Sequence, residues 1–213
     1  MLIRLLFALL VGGGGTISGR ITIKKHDGSD KKDYSEAVVL VADVIDPPKP
    51  AHAEIRQRGK EFVPRVSVVA PGTAVAFPND DKVEHNVFSH SSAADFDLGR
   101  FGKGSGKSRV FDKPGVAEIF CNVHKEMVAY LVVSPGHAFA VTGPDGKFEI
   151  KGVPPGKHKV QIWERFARPR VQEETVEVPA GGSVELVHEV VEQSDADPPH
   201  KNKFGVEYPA NYH

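Results

Sequence analysis

The 213-residue chain contains one cysteine, one tryptophan and two methionines, and each scarcity excludes something. A single thiol cannot close an internal disulfide, so a fold held together by cystine bridges is excluded. The same count excludes any metal centre built on two cysteines, and the sequence holds no His-x-His pair either. No apolar run approaches the ~20 residues that span a bilayer. Charge of one sign is also missing: 27 Lys and Arg face 28 Asp and Glu, a formal net charge of -1. Without a basic field the chain has no electrostatic footprint for nucleic acid, and no such partner is expected. Long helical periodicity is absent as well. Gly106-Lys107-Ser108 imitates the end of a phosphate-binding loop, but Phe101 stands where that motif requires glycine.

What is present is an ordinary globular composition, 40% hydrophobic and 26% charged, over a length that suits one large or two small domains. Residues 1–15 begin Met1-Leu2-Ile3-Arg4, continue as a short apolar run to Val11 and end in four glycines. One cation, a short hydrophobic stretch and small residues read as an export signal, which places the mature chain in the periplasm or another extracytoplasmic space with no membrane span. An exported chain with one thiol leaves a reactive group to be explained.

That thiol, Cys121, stands three residues before His124 and six before Met127, in Phe120-Cys121-Asn122-Val123-His124-Lys125-Glu126-Met127. Thiolate, imidazole and thioether are the soft donors that suit copper, and a trigonal His2Cys site with a weak axial Met is the blue-copper arrangement. A second histidine must come from elsewhere, and His85, in Phe77-Pro78-Asn79-Asp80-Asp81-Lys82-Val83-Glu84-His85-Asn86-Val87-Phe88-Ser89, is the first candidate. His90 follows in a Ser-rich stretch and reads as solvated, and Glu84 as a surface carboxylate. His26, His52, His137, His158, His188, His200 and His213 show no ligand spacing. Zinc also suits a Cys/His site by ligand type, if a further histidine or a carboxylate takes the place of Met127.

These strings resemble the cupredoxins, with a Cys-x-x-His-x-x-Met loop similar to that of amicyanin. Phe62-Val63-Pro64, Phe77-Pro78-Asn79, His85-Asn86-Val87-Phe88-Ser89, Phe96-Asp97-Leu98-Gly99 and Phe120-Cys121-Asn122-Val123-His124 resemble bacterial proteins labelled methylamine utilisation protein. The resemblance implies one type 1 copper held by His85, Cys121, His124 and Met127. It further implies that the Asn86 amide ties the His85 strand to the Cys121 loop, and that electrons leave by an exposed edge of His124. The chain departs from the pattern after the loop histidine, where similar proteins often carry proline. Here Lys125 and Glu126 follow, which frees a backbone N–H and slackens the loop.

The remaining signal is β throughout. Thr16–Ile23 alternates with period two, Ala37–Ala42 is a short buried-type run, and Arg65–Ala70, Thr73–Phe77 and Val116–Phe120 read as further strands. A short helix is expected at 51–58. Ala138–Val141, Lys147–Lys151, Lys157–Glu164, Glu173–Val178 and Ser183–Val191, separated by Pro/Gly turns, read as a second β unit. Gly146-Lys147-Phe148-Glu149-Ile150, Val153-Pro154-Pro155-Gly156 and Trp163 make this unit similar to the carboxypeptidase regulatory-like, transthyretin-type sandwich. The organisation expected is therefore all-β: signal 1–15, a Greek-key cupredoxin sandwich 16–133, a regulatory-like sandwich 134–192 and an extended tail 193–213. The function expected is one-electron transfer through transient contacts with a redox partner protein, burying less than about 1,200 Å2. No small-molecule substrate and no catalysis are expected. The alternative is a copper carrier, sensor or interaction module.

Overall fold

The computed structural model describes residues 13–197 and 199–208, so most of the expected export signal lies outside the described residues. The protein is all-β, with no helix among the described residues. The expected helix at 51–58 is instead a pair of strands, β3 (Ala51–Glu54) and β4 (Arg56–Gln57). In β3 the residues alternate between half-buried alanines and exposed His52 and Glu54, and the strand pairs in parallel with residues 73–76. Pairing at a sheet edge overrides the weak helical propensity of so short a segment.

Two sandwiches share the chain. The first stacks a five-stranded sheet, in the order β6 (Val66–Val69), β12 (Val128–Val133), β11 (Gly115–Phe120), β8 (His85–Ser91), β9 (Ala94–Phe101), on a three-stranded sheet, β10 (Gly106–Phe111), β7 (Thr73–Pro78), β3. Their inner faces meet in a core that includes Val75, Phe77, Phe96, Phe111, Ile119, Leu131 and also Cys121 and Met127. Between β4 and β6 the chain forms a small hairpin with β5 (Phe62–Val63).

The second sandwich stacks β14 (Lys147–Val153), β1 (Gly15–Lys24), β17 (Ser183–Val191) on β13 (Phe139–Val141), β2 (Val38–Val41), β15 (Gly156–Trp163), β16 (Val171–Val178). Ile17, Ile21, Ile23, Val39 and Val41 lie in its core beside Phe148, Ile162 and Val176. The boundary at residue 16 is thereby corrected. The first two strands pair with the later unit, so that sandwich is assembled from both ends of the chain, and the first sandwich begins near β3.

A third cluster joins the two. In β12 the odd residues Ala129, Leu131 and Val133 face the first core, while Val128, Tyr130 and Val132 face Val38, Leu40 and Trp163 of the second sandwich. Both faces of β12 are covered, which is why Val128–Val133 reads as an unbroken apolar run rather than an alternation. The strand that leaves the Cys121–Met127 loop is thus packed on both sides.

Gly19 shows how tightly β1 is seated. A Cβ there would lie 1.8 Å from the Leu186 carbonyl oxygen of β17, its parallel partner. Backbone cannot yield without opening the β1–β17 ladder. Gly19→Ala is expected to destabilise the protein by about 1–3 kcal/mol, as overpacking generally does. Gly102→Ala, whose Cβ would meet only the Glu84 side chain at 3.8 Å, should leave the thermal unfolding midpoint unchanged.

Candidate metal centre

The site forms where the end of β11 and the start of β8 meet the loop that enters β12. Asn79 begins the approach: its side chain donates to the Val83 and Phe101 carbonyls and accepts from the Asp81 N–H, folding 79–83 into a compact turn before β8. Asp81 is held in turn by the N–H groups of Gly59 and Lys60, at 2.7 and 2.8 Å. These fix its carboxylate against His85, whose Nε2 lies 2.9 Å away. A carboxylate held by donors can only accept here, so Nε2 of His85 carries the proton and Nδ1 is the free donor to a metal.

That Nδ1 points at His124 Nδ1, 3.1 Å away, and His124 Nδ1 lies 4.0 Å from Cys121 Sγ. Among the described residues, His85, Cys121 and His124 form a buried cluster whose donor atoms all lie within 4.8 Å of one another. One proton can bridge only one of these pairs. A cation at their centre satisfies all three, and the spacings suit donors sharing a transition-metal ion, whose bonds to nitrogen and sulfur run about 2.0 and 2.3 Å. The residues present therefore fit a soft metal.

Electrostatics agree with the geometry. Burial works against the Cys121 thiolate, but hydrogen bonds from the His85 ring and from the N–H groups of Asn86, Val123 and His124 outweigh it, so the thiol lies below its ordinary value. Burial likewise opposes charge on His85, yet the sulfur and Asp81 raise it above an ordinary imidazole. His124 is pushed down, first by burial and then by the charges of His85 and Lys60. The sulfur and the His85 ring thus each draw the other toward its charged form.

Asn86 links the strand to the loop. Its backbone N–H points at Cys121 Sγ at 3.5 Å, its Oδ1 accepts from the Asn122 N–H at 3.3 Å, and its Nδ2 donates to Asp97 at 2.7 Å. Met127 is fully buried in the same core as Cys121, and closes the loop through backbone bonds, its N–H to the His124 carbonyl and its carbonyl to the Cys121 N–H.

His90 lies outside the donor cluster, exposed, with Nδ1 bonded to Asp95 and Nε2 to the Lys203 carbonyl of the tail. Glu84 is exposed beside Arg100. His124, where the resemblance implied an exposed edge, is buried, with only 5% of the residue exposed. Near the site lies a histidine to which the sequence assigned no role. His200 of the tail stacks on Phe120 at 4.1 Å between ring centroids, yet nothing in its polar, proline-flanked surroundings marks it out.

The sequence matches no family model and no curated protein. Solved structures similar to parts of the chain include a purple cupredoxin from Nitrosopumilus maritimus, 26% identical, with a TM-score of 0.35, over 38% of this chain and 99% of that one. A Cu-containing nitrite reductase from Thermus scotoductus SA-01 is 24% identical, with a TM-score of 0.38, over 44% of this chain and only 25% of that one. A reduced Cu(I) form of an amicyanin variant is 19% identical, with a TM-score of 0.37, over 46% of this chain and 99% of that one.

Proposed function

We propose that this chain is an exported cupredoxin-type protein that holds one type 1 copper ion through His85, Cys121, His124 and Met127 and passes single electrons between partner proteins. The observation that carries the reading is the convergence of two imidazole Nδ1 atoms and one thiol, buried and 3.1 and 4.0 Å apart along the chain of contacts. Copper bound there supplies a centre that accepts and returns one electron. The protein's own part is to hold the donors still. Asp81 orients His85, Asn86 braces the Cys121 loop, and β12 is immobilised between two cores. Little rearrangement on electron arrival follows from such bracing. The regulatory-like sandwich serves as a rigid support, and the chain is not an enzyme in this reading.

Burial of His124 favours a second reading, a copper carrier or sensor. Slow electron self-exchange with tight copper retention would select it.

The test is to titrate purified protein with Cu(II) and record visible and EPR spectra across pH. One equivalent should develop an intense thiolate-to-copper band. Uptake should weaken as pH falls: the ion needs thiolate and neutral imidazole, while Cys121 and Asp81 raise His85 above the range of an ordinary imidazole, so it holds its proton more tightly. Below that raised range each displaced proton reduces apparent affinity about tenfold per pH unit. A colourless protein, or uptake that strengthens toward acid, would sink the reading.

A further inference from the structure

We propose that the C-terminal stretches 193–197 and 199–208 clamp the metal-ligand loop from outside, with His200 and Tyr208 as positioning residues for Cys121 and His124. This rests on the copper reading above.

The loop carries its own reason to need a clamp. Between Cys121 and Met127 there is no proline, and Lys125 and Glu126 are exposed side chains joined by a 3.8 Å ion pair. The bonds by which the loop closes on itself are Met127 N–H to the His124 carbonyl at 3.1 Å and Cys121 N–H to the Met127 carbonyl at 3.3 Å. The carbonyls on either side of His124 are taken by the tail. Tyr208 donates its hydroxyl to the Cys121 carbonyl at 2.9 Å, and His200 Nε2 donates to the Lys125 carbonyl at 2.7 Å. Between them, the Lys203 N–H donates to the Asn122 side chain at 3.0 Å. Three tail residues therefore grip the loop at 121, 122 and 125.

The grip is anchored at its other end. Tyr130 of β12 donates to Asp197 at 2.7 Å, and Arg65 approaches the same carboxylate at 3.5 Å. Lys203 reaches Asp97 at 2.7 Å, the carboxylate that also accepts from Asn86. His200 lies flat on Phe120, the residue before Cys121, and edge-on to Tyr208. The tail leaves the second sandwich at β17, where Gln193 N–H is bonded to the Phe166 carbonyl. It thus ties the second sandwich to the ligand loop and supplies the stiffness that a proline after His124 would otherwise lend. A hydrogen bond from outside fixes a carbonyl's direction, and the direction of the Cys121 and Lys125 peptides sets where Sγ and the His124 ring point.

The experiment uses full-length Tyr208→Phe, His200→Phe and the double variant. Phenylalanine at 200 keeps a ring against Phe120 while removing the donor to Lys125. In the apo protein, amide exchange of Val123 to Glu126 should rise roughly five- to tenfold in the double variant, with strand amides and the melting curve unchanged. In the copper-loaded protein the EPR spectrum should resolve into more than one species, and the reduction potential should move from the wild-type value. Unchanged loop exchange, or a global loss of folding on removing two side-chain donors, would overturn the clamp. If wild-type protein binds no copper, the copper reading fails by itself, and the apo exchange measurement still decides whether the tail holds the loop.

Discussion

Cys121→Ser is expected to abolish the visible thiolate-to-copper band and to lower copper affinity by more than the 10- to 100-fold typical of losing a partner that merely orients a ligand. The fold should survive it. Sγ is fully buried and lies 3.5 Å from the Asn86 N–H and 3.4 Å from the Val123 N–H, and a serine hydroxyl of similar volume can accept from the same groups. What serine cannot do is ionise. The His85 imidazole and three backbone N–H groups outweigh the cost of burying charge and ease ionisation of the thiol, whereas a hydroxyl in the same place stays protonated. Cu(II) that still binds would rest on two imidazoles and give the wide EPR hyperfine pattern of a nitrogen-bound ion. Near-unchanged unfolding with loss of colour is the expected pair of results. A blue band that persists in the serine variant would mean that the chromophore is not this thiol. Loss of the native fold would mean that Cys121 serves the core before it serves a metal.

The sequence could point to His85, Cys121 and His124, which the structure brings into one buried cluster, because ligand chemistry and spacing are local: Cys121 and His124 fall within one loop, and His85 follows a turn marked by Pro78 and Asn79. The strands were legible for the same reason. Ile17, Ile21 and Ile23 alternate in β1, and the structure places them on one buried face. Partners were not legible. Period two says which residues share a face and says nothing about which strand lies alongside, so β1 and β2 were assigned to the wrong sandwich. The clamp was hidden in the same way. His200 and Tyr208 reach residues about 80 positions earlier, and a lone histidine in a polar tail carries no periodicity that could announce such a contact. Asp81 lay in plain view four residues before His85, but its role depends on the Gly59 and Lys60 N–H groups that aim it, which only the fold brings near.

Trp163→Ala should be the most destabilising single change outside the metal site, costing about 3–5 kcal/mol. The side chain is buried to 2% exposure in the seam between the sandwiches, packed among Val38, Leu40, Val66, Val128 and Val132, with its ring 5.4 Å from that of Tyr130. Truncation removes an indole from a place where two sheets meet, and neither sheet can collapse alone to fill the gap. For a chain of this size that loss corresponds to a fall in melting temperature of about 6–20 °C. The consequence extends beyond stability. Val128, Tyr130 and Val132 all face the cavity that alanine leaves, and Tyr130 also holds Asp197 of the tail. Loosening that face of β12 frees the strand into which the ligand loop runs and slackens the anchor of the clamp. Calorimetry should then show the single transition of the wild type broadening or splitting, as the two sandwiches cease to unfold together. Should the variant instead melt within a degree or two of wild type in one sharp transition, the seam would not couple the units. The second sandwich would then be a passenger on the site and not its support.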